Sequence, residues 1–334
     1  MMSFMPFHTM FMTSMMLGTI IAVSANNWLF IWMGLEVNLM SFVSLVFISK
    51  QNQETEAAIK YFMIQAMASG MMLLGSAGVM FSFYYFVGFK FSGLILLGAL
   101  LIKLGAAPLH WWLPSVMSGM SWFMCLCLST WQKVAPFSLI LMLSESSSMP
   151  RVMTAVGLGS VIVGGIGGMN QSQLRLVMAY SSIGHLGWMI SAMKYSISVS
   201  MLYFMMYMLI SITVFTGLQK SWAQSHSSFS SMLNQGKWEA NINLLSLLSL
   251  SGLPPLIGFM PKWAVLQLLM MNDSIGLAYV LAVGSMLSLY YYLNMLFVMN
   301  LVSSSVVKNK DSNYSYWGIM LMINCLLPVM MFVK

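Results

Sequence analysis

Between residues 5 and 333 the chain runs as eleven apolar segments, at 5–24, 28–48, 57–82, 91–109, 120–143, 152–169, 173–193, 197–219, 241–271, 275–300 and 314–333. An α-helix needs about 20 apolar residues to cross the hydrocarbon core of a bilayer, whereas a barrel strand needs only about ten. The segments therefore predict helices. Charged residues make up 6% of the chain, against roughly 25% in soluble domains. Lipid removes the need for a charged exterior, provided that every backbone group is satisfied within its own helix. The expected fold is an all-α polytopic membrane protein of about eleven transmembrane helices. Its connections are short and polar, as at Ser24 to Asn27, Ser49 to Glu56 and Ser144 to Arg151. The longest polar stretch, Lys220 to Asn241, is Ser-rich and predicts a surface helix. None could fold as a soluble domain, so residues 1–334 read as one transmembrane domain.

The net charge of +7 is no nucleic-acid signal, because the basic residues are scattered and phosphate binding needs them clustered. Cys125, Cys127 and Cys325 sit in apolar stretches with no CxxC pair, so neither an iron–sulfur cluster nor a structural zinc is expected. The glycine run GLGSVIVGGIGG (157–168) does not complete GxGxxG and follows no strand; close helix packing through small residues explains it. No Walker motif or haem-ligand pair is present, and no cofactor or metal is expected in this chain. The start MMSFMPFHTM has no basic n-region or Arg-rich transit pattern. Methionine is abundant, at 39 residues. Animal mitochondria read one standard isoleucine codon as methionine, so the composition points to synthesis inside that organelle. Lys50, Lys60, Arg175, Lys220, Lys237, Lys308 and Lys310 fall on the amino-terminal side of such a topology, and Lys90, Arg151, Lys194 and Lys334 on the other. The positive-inside bias then places the amino terminus on the matrix side of the inner membrane.

Two spans are broken. The fourth reads LLIKLGAAPLHWWLP, with Gly105 and Pro108 interrupting it beyond Lys103. The ninth reads LSGLPPLIGFMPKW, with Pro254, Pro255 and Pro261, besides two glycines, ahead of Lys262. Proline removes a backbone donor and clashes with the preceding turn. Such breaks survive at membrane depth only where they are buried in protein or line a wet cavity. Spans one to five and six to ten each have a broken fourth member. Five is odd, so the second set must run inverted. The expectation is two inverted five-helix repeats, about 1–145 and 152–300, and an additional helix at 314–333. Paired interrupted spans of this kind point at an ion path.

A charge at the bilayer centre costs about 2.5–3.5 kcal/mol on insertion scales, and the residues that bear it face protein or water. Glu36, Lys103, Lys133 and Lys262 lie inside apolar segments, as does His185. Buried lysines and carboxylates shift toward neutrality and recover when an opposite charge approaches, and histidine titrates near neutral pH with little help. These five are the expected proton-transfer residues. For any one lysine taken alone, a structural ion pair or a side chain snorkelling to the interface is the competing reading. Lys50, Glu54, Glu56 and Lys60 cluster at a span entrance and read mostly as interfacial anchors, with Lys60 also placed to feed the path, and His110 reads as a belt residue or the mouth of a path.

Taken together, WMGLEVNLMSF (32–42), EAAIKYFMIQAMAS (56–69), IKLGAAPLHWWLP (102–114), TWQKVAP (130–136), AYSSIGHLGW (179–188) and GLPPLIGFMPKW (252–263) resemble one family closely. It is the mitochondrial NADH–ubiquinone oxidoreductase chain 2 family, the antiporter-like membrane subunits of respiratory complex I. The resemblance implies proton translocation across the mitochondrial inner membrane, coupled to electron transfer from NADH to ubiquinone. It also implies other membrane-arm subunits and inner-membrane lipids such as cardiolipin as partners, with no direct NADH binding. It makes Glu36 the partner of Lys103, Lys133 the central relay, His185 a bridge and Lys262 the terminal lysine. One departure is visible: the family commonly has an acidic residue after the proline of WxPE, and here Ser115 follows Pro114. A free-standing cation/proton antiporter and a structural membrane scaffold are the alternative readings.

Overall fold

The computed structural model describes residues 6–48, 51–85, 89–144, 149–222, 237–254 and 256–303. Among them every regular element is helical. In chain order these are α1 (Pro6–Ser24), α2 (Trp28–Phe47), α3 (Asn52–Tyr85), α4 (Phe89–Leu104), α5 (Trp112–Gly119), α6 (Trp122–Ser129), α7 (Trp131–Ser144), α8 (Pro150–Met169), α9 (Leu174–Met193), α10 (Ile197–Trp222), α11 (Lys237–Ser251), α12 (Phe259–Met271) and α13 (Ile275–Ser303). The span expected at 314–333, the Ser-rich connection at 223–236 and Pro255 lie outside the described residues.

Seven stretches are long and apolar enough to cross a membrane by length and composition: α1, α2, most of α3, α6 with α7 taken together, α8, α10 and α13. The helix at 174–193 is not among them, since it carries Arg175, five other polar side chains and two glycines. It is instead largely enclosed by protein, with sixteen of its twenty residues buried. A helix surrounded by protein need not be apolar enough to face lipid.

The chain divides into two compact units, Met1–Met153 and Thr154–Lys334. In the first, α1 packs on α2 and α7, α3 on α2, α4 and α5, and α4 on α7. The α1–α2 contact is backbone to backbone: a Cβ on Gly34 would lie 2.6 Å from the Ala22 nitrogen and 2.8 Å from the Gly18 oxygen. In the second unit α9 packs on α10, α12 and α13, α10 on α11 and α12, and α13 also on α11 and α12. The glycine run of α8 does what its composition predicts. A Cβ on Gly164 would strike the Gly184 nitrogen at 2.6 Å, so α8 and α9 touch through their main chains. Cys125 and Cys127 are buried, as expected of small core residues. Among the described residues no group of three or more His, Cys, Asp or Glu could hold a metal ion.

Hydroxyls inside the helices bond back to their own turns. Ser41 donates to the Val37 carbonyl at 2.6 Å and Ser249 to that of Ser246 at 2.6 Å. Such internal bonds make serine tolerable in an apolar setting.

Candidate functional site

In the first unit the site begins where α4 stops. Gly105 adopts φ +74°, a left-handed conformation that glycine alone adopts without strain. Its N–H bonds to the Ile102 carbonyl at 3.1 Å, and that of Ala106 reaches back to Leu101 at 3.2 Å. This pair of bonds is the Schellman motif. The Trp112 indole donates a further 2.9 Å bond to the Ile102 carbonyl, bracing the end of α4 from beyond the break. Pro108 lies in the non-helical gap that follows. Lys103 sits in the last turn so fixed and is only 7% exposed. Its backbone carbonyl accepts a 3.5 Å bond from Gln65.

Glu36 on α2 is half-buried, and its Oε2 is buried with no hydrogen-bond partner. It interacts electrostatically with Lys103, but the two do not form a contact ion pair. Lys133 is 2% exposed and lies one turn past a second irregularity. The fifth span is two helices, α6 and α7, hinged at Thr130 (φ −112°, ψ −74°). Pro136 inside α7 denies the Gln132 carbonyl its usual donor. Beside Lys133 runs a neutral polar chain: Gln132 donates to Asn38 Oδ1 at 2.9 Å, and the Tyr61 hydroxyl donates to Gln132 Oε1 at 3.4 Å. It ties α2, α3 and α7 together.

In the second unit α11 ends at Ser251, followed by Gly252 at φ +80°, whose N–H bonds to the Ser249 carbonyl at 3.2 Å. The chain crosses a short irregular gap containing Pro254 and re-enters a helix at Phe259. Pro261 is therefore a first-turn residue of α12 rather than part of the gap. The first turn of a helix tolerates proline because its N–H groups lack helical partners. Lys262 follows, 7% exposed, and its ammonium donates a 2.7 Å bond to the Ser251 carbonyl with the Trp188 ring 6.0 Å away. His185 on α9 is 8% exposed; its Nδ1 is 3.0 Å from the Tyr203 hydroxyl, and Tyr207 packs 5.1 Å from its ring. His185 and Lys262 line one small cavity of about 20 Å³, with Ser181, Ser285, Ser288 and Tyr292 contributing to its wall. That is about the space one water molecule needs.

The three lysines thus sit at, or within a turn of, a break or hinge in a helix, whereas Glu36 and His185 lie mid-way along regular helices. Asn38, Tyr61, Gln65, Gln132 and Tyr203 were not anticipated. Their signal was neutral polarity inside an apolar helix, as in the i, i+4 pair Tyr61 and Gln65. His110, read as a belt residue or a path mouth, is buried with Nδ1 3.2 Å from the Pro108 oxygen; the exposed neighbour stacked on it is Trp111. Glu54 is likewise buried, whereas Glu56 and Lys60 form an exposed ion pair, a contact worth little in water. Ser115, at the acidic position of the family pattern, bonds its hydroxyl to the Trp112 carbonyl at 2.8 Å.

Residues 25–288 match the family model described as NADH:quinone oxidoreductase/Mrp antiporter, transmembrane. The chain is 40% identical over 308 residues to the NADH-ubiquinone oxidoreductase chain 2 of Lumbricus terrestris, covering 90% of this chain and 89% of that one. It is 39% identical over 317 residues to that of Latimeria chalumnae, covering 93% and 90%. In fold it is similar to a chain of respiratory complex I from Thermus thermophilus, with a TM-score of 0.82, 24% identity, and 98% of this chain and 78% of that one covered. It is also similar to a chain of the Mrp complex from Dietzia, with a TM-score of 0.77, 18% identity, and 85% and 59% covered. The chain belongs to the NADH:quinone oxidoreductase/Mrp antiporter family and, within it, to the NADH-ubiquinone oxidoreductase chain 2 group.

Proposed function

We propose that this chain is a core membrane-arm subunit of respiratory complex I that moves protons across the mitochondrial inner membrane while electrons pass from NADH to ubiquinone elsewhere in the assembly. The observation that carries this reading is the burial of three lysines inside apolar helices. Each such charge is costly at membrane depth, and a scaffold has no use for three of them.

The path runs through Glu36, Lys103 and Lys133 in the first unit and through His185 and Lys262 in the second. Glu36 acts on Lys103 without touching it. A small movement that brings the two together favours the ammonium, and one that parts them releases its proton toward Lys133. His185 and Lys262 share a wall of one cavity, so a single water can join them. Two inverted five-helix repeats fit this scheme. The units divide within the first turn of α8, and each contains a fourth span broken beside a buried lysine. An added span at 314–333, eleven in all, belongs to the same reading. So does a matrix-side amino terminus, supported by the distribution of Lys and Arg. Its partners are other membrane-arm subunits and inner-membrane lipids, cardiolipin among them, and the chain itself holds no redox centre and binds no NADH.

The likeness in fold to a chain of an Mrp complex keeps a cation/proton antiporter as the second reading. Native electrophoresis separates the two. Comigration with a large NADH-oxidising assembly supports the complex I reading, and migration as a small independent species removes it.

A further inference from the structure

The space beside Lys262 exists because side chains are missing. On α9, Ser181, Gly184, His185 and Trp188 follow one another at i, i+3, i+4 and i+7, one face of a helix, and all four line the cavity. Helix packing explains Gly187 on the same helix, since a Cβ there would lie 2.6 Å from the Gly157 oxygen. It does not explain Gly184, whose added Cβ would meet nothing within 4 Å. Opposite, α13 offers Ser285, Ser288 and Tyr292, again at i, i+3 and i+7 and again all lining the cavity. The Ser285 and Ser288 hydroxyls donate to the Ala282 and Ser285 carbonyls at 2.7 and 2.8 Å, which leaves their oxygens as acceptors.

We infer that Gly184 is a spacer holding open a one-water chamber between His185 and Lys262, and that Ser285 and Ser288 continue the proton path out of that chamber along α13. This rests on the proton-path reading above. In the step, the Lys262 ammonium gives one proton to the chamber water and becomes a neutral amine. The water passes a proton to a serine oxygen, and the serine's own hydroxyl proton leaves its helix carbonyl for solvent water on the exit side, so water and serine end unchanged. His185, entering as imidazolium, then returns one proton to the neutral Lys262 amine through the same water and ends neutral, to be recharged by a proton drawn from solvent water on the uptake side, and no electron moves.

The experiment compares Gly184→Val, Ser288→Ala, Ser288→Thr, Lys262→Ala and a control, Gly159→Val, in the assembled complex reconstituted into proteoliposomes. Gly159 also sits on a helix where an added Cβ meets nothing, but it does not line the cavity. Proton uptake driven by NADH should fall at least about tenfold in Gly184→Val, Ser288→Ala and Lys262→Ala, the scale of a lost proton-transfer group. Ser288→Thr keeps the hydroxyl and should retain most of the rate, as should Gly159→Val. Native electrophoresis confirms assembly, and Ser288→Ala carries the test if the bulkier valine prevents it. The inference is overturned if Lys262→Ala slows uptake while Gly184→Val and Ser288→Ala do not, or if Ser288→Thr is as slow as Ser288→Ala. If Lys262→Ala leaves uptake intact, it is the underlying proton-path reading that fails.

Discussion

The Lys262 ammonium donates a 2.7 Å hydrogen bond to the carbonyl of Ser251, the last residue of the helix that precedes the break. A helix C-terminus carries partial negative charge and carbonyls without helical partners. The broken span thus supplies a cation seat made of backbone alone, and the lysine that fills it comes from the far side of the gap.

Gly252 makes room for that seat. A Cβ there would lie 2.9 Å from Lys262 Cδ and 3.0 Å from its Nζ, at a backbone φ of +80°. Gly252→Ala should cost about 1–2 kcal/mol in backbone strain alone and displace the ammonium. Thermal denaturation of the assembled complex should show the loss, together with slower proton uptake.

Lys103 has no contact ion pair and is buried in apolar surroundings. Replacing it with methionine removes a charge whose burial costs about 2.5–3.5 kcal/mol while nearly keeping its shape. Because the single change would leave the Glu36 carboxylate without its counter-charge, the double variant Glu36→Gln/Lys103→Met should leave thermal stability equal or raised and yet reduce proton uptake about tenfold or more. A double variant that is both unstable and inactive would assign the two residues a structural role.

Gln132 holds Asn38 and Tyr61 at once. Gln132→Leu leaves both buried polar groups short of a partner, at about 1–3 kcal/mol. A melting curve that does not move would mean that the Asn38–Gln132–Tyr61 chain contributes nothing to stability.

The Tyr203 hydroxyl lies 3.0 Å from Nδ1 of His185 and can donate to that nitrogen or accept from it, so it orients the ring in either protonation state. Tyr203→Phe should slow proton uptake several-fold, with His185→Gln slower still, and should spare assembly. Equal rates in Tyr203→Phe and the unaltered chain would detach this contact from the path.

Much of this was legible in the sequence because lipid makes exceptions costly. Charged residues, Gly and Pro stand out within apolar runs, so Lys103, Lys133, Lys262 and both helix breaks could be read directly. The hinge at Thr130 could not, because a β-branched residue ordinarily continues a helix, and only the geometry shows the chain turning there. The Ser251 seat was hidden for a different reason: a carbonyl belongs to every residue and leaves no mark in the sequence. Pro261 misled for a third, since proline both breaks helices and begins them, and here it lies in the first turn of α12. The helix at 174–193 was located by its pattern, but its unusual burial depends on what surrounds it.

Whether buried lysines carry protons through this chain is decided by counting protons translocated per electron in the assembled complex bearing Lys262→Ala. The ratio should fall while native electrophoresis shows the assembly intact. An unchanged ratio in a fully assembled variant would contradict proton transfer through the lysines.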